Sequence, residues 1–218
     1  MKLSAATVTI LKNYATINTN VLIRPGNTLS TISNAKNIFA TATVPETFER
    51  EVAIYDLNSL LALLSLADDL DIQFGDKSLV INADGGHFEY FYAAANIITA
   101  APEKSIQIDE HFTFNMTSAD VNMIIKAAAI TGAPTLSIVS RGGKVVLSVA
   151  DKKNDTANSY RKVVGEFDSD FDCHMAVENF KLIPDAYEVT LSKKKAIRFK
   201  HATKDLTYFL AMDPSSTI

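Results

Sequence analysis

The sequence predicts an α+β chain of two duplicated domains, each with two helices packed on antiparallel sheet. Three observations carry this expectation. Most of the chain is short runs rich in β-branched and aromatic residues, punctuated by Pro and Gly, which read as strands. The stretches 4–17, 56–69 and 118–130 instead repeat apolar residues on a helical period. The order of these elements is also written twice.

In the first helical stretch Leu3, Thr7, Ile10, Leu11, Tyr14 and Ile17 fall on one stripe. Ala5, Thr9, Lys12 and Thr16 fall opposite, and Ser4 is placed to cap the start. Strands are expected at 21–23, 28–33, 37–44 and 49–55, with a turn at "RPGN" (24–27). Asp56 opens a helix over 56–69 whose core stripe is Leu57, Leu60, Leu61 and Leu64. Strands at 71–74, 78–83 and 87–94 complete a first domain, residues 1–94. "ANIITAAPEKS" (95–105) has no period and reads as a connector, and residues 106–218 form the second domain. That domain opens with a strand over 106–116 and a helix introduced by Ser118, with Asp120 in its first turn.

The duplication rests on four landmarks. Ser4 aligns with Ser118, bringing Ile10-Leu11-Lys12 onto Ile124-Ile125-Lys126; Arg24 faces Arg141, Asn58 faces Asn179, and Tyr90-Phe91 falls on Tyr208-Phe209. The offset drifts only between 114 and 121 residues, which a few loop indels explain. Lys12 and Lys126 therefore occupy equivalent places, both pointing away from the core stripe.

The totals exclude several classes. A chain of 218 residues suits two domains of about 100 each, and 47% hydrophobic with 21% charged residues is ordinary globular composition. A net charge of −4 argues against a generally basic nucleic-acid binder but leaves room for an acidic exterior with one basic surface. Cys173 is the only cysteine, so an intramolecular disulfide and a cysteine-rich zinc site are both ruled out, as suits a reducing cytosol. The first residues lack a signal-peptide core, and no 18-residue apolar run offers a membrane helix. A soluble, intracellular protein is expected.

"MKLS", "ILKNYATIN" (10–18) and "VAIYDLNSLLALLSLADD" (52–69) resemble the DNA sliding clamps of T-even-type bacteriophages. "YEVTLSKKKAIRFKHATKDLTYFLAMD" (187–213) is similar to the closing strands of ring clamps generally. The resemblance implies a DNA clamp fold: a closed ring with helices lining the hole and continuous antiparallel sheet outside. It implies a homotrimer of two-domain chains, joined edge strand to edge strand, that encircles double-stranded DNA without reading its sequence. Such a clamp is a processivity factor and not an enzyme, and no cofactor is expected. An ATP-dependent clamp loader places it on DNA, where it tethers the replicative DNA polymerase in the cytoplasm of the infected bacterial host.

On that reading Lys12 and Lys126 face the hole, with Lys2 near the same face and Lys181, in "ENFKLIP", at the fourth-helix position. The helix at 56–69 adds no cation, and Met123 and Ile130 make part of the other helix's outer face apolar. The plain alternative is a solvated helix face. By position in the family, Ala196, Phe209, Ala211 and Met212 line the pocket for a partner's hydrophobic peptide; otherwise Phe209 is core and Met212 a frayed end. "EFDSDFD" (166–172) would place Asp168, Asp170 and Asp172 on one strand face, a possible Mg²⁺ or Ca²⁺ site. It lacks a glycine-centred loop, and an acidic solvent face is the simpler account. His87, His111, His174 and His201 share no ligand spacing. "SKKKAIRFKHATK" (192–204) is basic, with alternation expected to spread its charge over two faces. The rival functions are a structural phage subunit with duplicated β-domains and a metal-dependent nuclease using those aspartates.

Overall fold

The computed structural model describes residues 1–66, 70–83, 85–103, 106–154 and 156–218. Its contacts divide the chain into two compact units, Met1–Glu103 and Lys104–Ile218.

The first unit opens with helix α1 (Ala5–Ile17), whose buried residues Thr7, Ile10, Leu11, Tyr14 and Ile17 recur at helical spacing. Ser4 caps it, its hydroxyl accepting from the Thr7 N–H at 3.2 Å. The helix packs on strands β2 (Gly26–Ile32) and β3 (Ile38–Phe48) and on helix α2 (Leu57–Leu64). Tyr14, fully buried, donates its hydroxyl to the Leu29 carbonyl of β2 at 3.1 Å. Strand β1 (Val21–Ile23) pairs antiparallel with β4 (Val52–Ile54).

Strand β3 differs from expectation. The sequence suggests separate strands before and after Pro45, but β3 runs through it. Between Gly26–Phe48 and Thr28–Thr43 the β2–β3 register shifts, so several β3 residues oppose one residue of β2. Pro45 lies in that bulge, where the ladder to β2 is already interrupted and a proline is tolerated. Helix α2 is shorter than expected. The Asp56 carboxylate caps it, accepting from Asn58 and Ser59 N–H at 3.0 and 3.2 Å, but it ends at Leu64. Residues 67–69 of the expected helix lie outside the described residues. Strands β5 (Asp71–Phe74), β6 (Ser78–Ala83) and β7 (Gly86–Phe91) form an antiparallel sheet in that order. Met1 pairs on the outer side of β5, giving its ammonium to the Ile72 carbonyl (2.6 Å) and taking the Ile72 N–H (2.9 Å). Of the segment read as connector, Ala95–Ile97 is a single 3-10 turn and Ile98 packs with Leu22 and Ala53.

The second unit begins with β8 (Phe112–Met116) and helix α3 (Ser118–Thr131). The cap of α3 is Thr117, one residue before the expected Ser118. The Thr117 hydroxyl accepts the Asp120 N–H and the Asp120 carboxylate accepts the Thr117 N–H, a reciprocal capping box. Gly132, at φ +65°, ends the helix in the left-handed conformation that glycine adopts at little cost. Strands β9 (Thr135–Arg141), β10 (Lys144–Ala150), β11 (Tyr160–Glu166) and β12 (Phe171–Ala176) make one sheet in the order β11-β10-β9-β12. The β9–β10 hairpin turns on Gly142 and Gly143, both at positive φ, as a two-residue turn between paired Arg141 and Lys144 demands. Strands β13 (Tyr187–Ser192), β14 (Ala196–His201) and β15 (Leu206–Ala211) stand beside β8 in the order β15-β14-β13-β8.

The expected fourth helix is absent among the described residues. Only a 3-10 turn, Val177–Asn179, stands there. Only seven residues, 177–183, run from that turn's start to Pro184, too few to repay helix nucleation, and the proline closes off any extension. The duplication otherwise holds strand for strand: Met1–Leu3 with β8, α1 with α3, β1 to β4 with β9 to β12, and β5 to β7 with β13 to β15. The paired tyrosines also do equivalent work. The Tyr90 hydroxyl donates to the Asp56 carbonyl and accepts the Asp56 N–H, while that of Tyr208 accepts the Ile183 N–H.

Candidate nucleic-acid interface

The cores leave one face of each long helix uncovered. On α1 it carries Ala5, Thr9, Lys12 and Thr16, all exposed. The Thr9 and Thr16 hydroxyls donate back to the Ala5 and Asn13 carbonyls at 2.8 and 2.7 Å. Hydroxyls turned inward leave the Lys12 ammonium as that face's outward donor. On α3 the exposed face holds Met123, Ile125, Lys126, Ala129 and Ile130, the last 84% exposed. Neither Lys12 nor Lys126 has a hydrogen bond or ion pair with any described residue. Each long helix thus displays on its uncovered face one cation with no partner among the described residues, Lys12 eight residues after the Ser4 cap and Lys126 nine after the Thr117 cap.

The other two predicted lysines are placed differently. Lys2 is exposed beside Asp71, whose carboxyl is held low first by its bond to the N-terminal ammonium and last by the Lys2 charge. Lys181 is half-buried just beyond the 3-10 turn, off any α-helix. Both Lys2 and Lys181 engage other groups. Helix α2 exposes Asn58, Ser59 and Ala62 and carries no cation.

Acids near the helix starts are compensated. Glu46 of β3 takes the Ser4 N–H and the Thr7 hydroxyl, supplying from another element what Asp120 supplies from within α3. Burial alone would raise the Glu46 pKa, but the Ser4 N–H, the Thr7 hydroxyl and neighbouring donors hold the carboxyl below its usual range. Asp120 balances likewise: burial pushes it up, and Lys162 and Thr117 bring it below the ordinary value. Sequence reasoning misses Glu46 because its partners lie about forty residues away. The aligned arginines also diverge. Arg24 holds the Ala101 carbonyl (3.0 Å) and Glu103 (3.3 Å), whereas Arg141 holds Asp172 (2.5 Å) and the Phe171 carbonyl (3.2 Å).

The expected peptide-pocket residues cluster on the β14–β15 hairpin. Ala196 pairs with Ala211 and Arg198 with Phe209. Alternation puts Ala196, Phe209 and Ala211 on the face opposite the core. Met212 turns the other way and is buried, its N–H bonded to the Lys195 carbonyl at 2.9 Å. The basic run is not spread over two faces: Arg198 and Lys200 share the outer face, and Lys193–Lys195 form the turn.

The acidic segment does not form the expected strand face. Strand β11 ends at Glu166 and β12 begins at Phe171, so Asp168 and Asp170 sit in the loop between, while Asp172 is paired with Arg141. Among the described residues no group of three or more His, Cys, Asp or Glu is arranged to hold a metal ion. Among the described residues no helix is long and apolar enough to cross a membrane.

Two strands end their sheets with exposed faces. Strand β7 closes the order β5-β6-β7 and shows Phe91 at 67% exposure; β11 opens the order β11-β10-β9-β12 and shows Val163 at 57%. Such edges offer unpaired backbone groups to another strand.

Helices laid on antiparallel sheet, written twice in one chain, define the ring-clamp class. The fold superposes on Proliferating Cell Nuclear Antigen from Thermococcus kodakaraensis with a TM-score of 0.70, at 14% identity over 98% of this chain and 99% of that one. It superposes on a DNA polymerase sliding clamp from Pseudomonas aeruginosa with a TM-score of 0.68, covering 98% of this chain and 63% of that one at 13% identity. In sequence, residues 2–103 match the DNA polymerase processivity factor family. The sliding clamp of Vibrio phage KVP40 is 30% identical over 98% of this chain and 99% of its own length, and that of Escherichia phage RB69 is 30% identical over 100% and 99%. The sliding clamp of Enterobacteria phage T4 is 28% identical over 100% and 99%. The chain belongs to the T-even-type phage sliding clamps, the DNA polymerase processivity factors.

Proposed function

We propose that three copies of this chain close into a ring around duplex DNA and tether the replicative polymerase to it. Residues 1–94 and 106–218 serve as the ring's clamp domains, with 95–105 between them. The edge strand β7 of one copy pairs with β11 of the next, which satisfies both open edges at once and covers Phe91 and Val163. One observation carries the DNA-facing assignment: Lys12 and Lys126 stand unpaired, among the described residues, on the uncovered faces of equivalent helices. Six such ammonium groups around a hole attract phosphates at long range and without regard to sequence. Lys2 and Lys181 add to the same lining, their existing contacts tempering their pull. Few and flexible contacts suit sliding, because the link is topological and tight binding would arrest it. The net charge of −4 then keeps DNA from adhering elsewhere.

In this reading Ala196, Phe209, Ala211 and Met212 receive a hydrophobic peptide of the polymerase, and an ATP-dependent loader opens the ring at one interface. The clamp itself performs no chemistry and needs no cofactor. It works in the cytoplasm of an infected bacterium. The test is the double variant Lys12→Glu, Lys126→Glu, assayed in primer extension with loader and polymerase. Product length should fall several-fold while thermal stability stays within about 0.5 kcal/mol, as for exposed surface changes. Wild-type processivity in that variant would refute the DNA-facing assignment.

A further inference from the structure

Ring closure needs the free edge of β7 to meet the free edge of β11, and each edge has a fixed pattern of outward backbone groups. The β9–β10 hairpin closes on the pair Arg141–Lys144 around a two-residue turn, so Lys144 bonds to β9 and every second residue after it faces the same way. Val145, Leu147 and Val149 then face β11, where Leu147 meets Lys162 and Val149 meets Tyr160. Arg161 and Val163 are left to direct their N–H and C=O groups outward. A bulge follows at once: Val146 meets Val163 and Val145 meets Gly165, with Val164 the extra residue. The regular part of this edge therefore ends at Val163.

Strand β7 is built alike. The Gly75 N–H donates to the Ser78 carbonyl at 2.8 Å, and the Tyr92 N–H to the Lys77 carbonyl at 2.9 Å. Ser78 thus faces β5, while Leu79 and Ile81 face β7, where they meet Tyr90 and Phe88. His87, Glu89 and Phe91 direct their backbone groups outward. The side chains agree. Leu79, Ile81, Leu147 and Val149 are buried, so their partners Tyr90, Phe88, Lys162 and Tyr160 lie on the core side of their sheets. On both edges the outward-bonding residues lie on the opposite side. An antiparallel ladder between two copies therefore carries one core face into the next.

Two registers use both Arg161 and Val163. In one, Glu89 meets Arg161, His87 meets Val163, Phe88 meets Lys162 and Tyr90 meets Tyr160. In the other, shifted by two residues, Phe91 meets Arg161, Glu89 meets Val163, Tyr90 meets Lys162 and Phe88 meets the bulged Val164. Glu89 and Arg161 are both exposed, and neither has an ion pair with a described residue. Glu89 accepts the Ser78 hydroxyl at 2.6 Å, which leaves its second oxygen available. The first register sets opposite charges directly across from each other and pairs two aromatic rings, both favourable cross-strand contacts. The second sets a carboxylate against a valine, and a tyrosine against a lysine already held by Asp120.

We propose that adjoining copies of the chain lock in the first register, with the Glu89 carboxylate of one copy on the Arg161 guanidinium of the next. The proposal rests on the ring reading above and adds to it the residue pair that fixes how the edges meet. Arg161 then also lies diagonally across from Phe91 and covers its exposed ring with the arginine stem.

The test is a pair of double-cysteine variants of the full chain, whose own Cys173 is buried. Residues directly opposite in a hydrogen-bonded pair have Cα atoms about 5.5 Å apart, within disulfide range, whereas diagonal neighbours stand about 7–8 Å apart, beyond it. Under mild oxidation the Glu89→Cys, Arg161→Cys chain should run as a covalent trimer on a non-reducing gel. The Phe91→Cys, Arg161→Cys chain should run as a monomer. Light scattering of the wild type separates the two claims. A wild-type trimer without the 89–161 link would overturn the register and leave the ring, whereas a wild-type monomer would overturn both. Charge reversal is the second readout. Glu89→Arg and Arg161→Glu alone should each raise the concentration for half-assembly about tenfold or more. Combined, they should restore it to within about twofold of wild type, as a coupled pair does. Single reversals without effect, or a combined variant no better than either one, would overturn the ion pair.

Discussion

Glu46 shows how much one residue can hold. It joins β3 to the start of α1 by accepting the Ser4 N–H and the Thr7 hydroxyl, so it acts as a cap delivered from another strand. Removing it as Glu46→Ala should cost about 0.5–2 kcal/mol, the range for lost caps, measured by urea unfolding. The pH dependence has a definite sign. The folded carboxyl sits below its ordinary value, so its contribution is full above the unfolded pKa of about 4.3 and is lost as pH falls through the lower folded value. Glu46→Gln should therefore flatten the acid limb of the stability curve relative to wild type. A mutant curve parallel to wild type below pH 5 would remove this role. Tyr14 works at the same scale. Tyr14→Phe leaves the buried Leu29 carbonyl without its 3.1 Å partner and should cost about 1–3 kcal/mol.

At the scale of elements, α3 is fastened by its own capping box and by the Lys162–Asp120 pair, whereas α1 relies on β3. Asp120→Ala should lower stability by about 1 kcal/mol without changing the exposed face that carries Lys126, so processive synthesis should survive when assayed below the melting range. The long helices are legible in the sequence because apolar spacing and caps are local signals. Strand β3 is not, because the bulge that tolerates Pro45 is a property of its register with Gly26 and Thr28. The fourth helix is misread because the repeat suggests an element that Pro184 does not leave room for. Of the candidate site, Lys12 and Lys126 are legible through the duplication alone. Glu46 is not, since its contacts with Ser4 and Thr7 depend on elements brought together only by folding.

At the scale of the whole molecule, the proposed ring would bring a chain of net charge −4 to DNA through a few lysines on helix faces that are otherwise small or apolar. Loading onto DNA should weaken with salt, with a slope set by the phosphates neutralised, about −0.9 each, and it should be indifferent to sequence. The Lys12→Glu, Lys126→Glu chain should lose most of that slope. Closing the ring would remove the two open sheet edges as well as create the hole, so oligomerisation and DNA binding belong to one design. The most direct measurement is the solution mass by light scattering across a concentration series up to tens of micromolar. The account predicts a species near three times the 23.8 kDa chain mass, formed through β7 and β11. A monomer at every concentration would contradict it, leaving the duplicated fold but no hole for Lys12 and Lys126 to face.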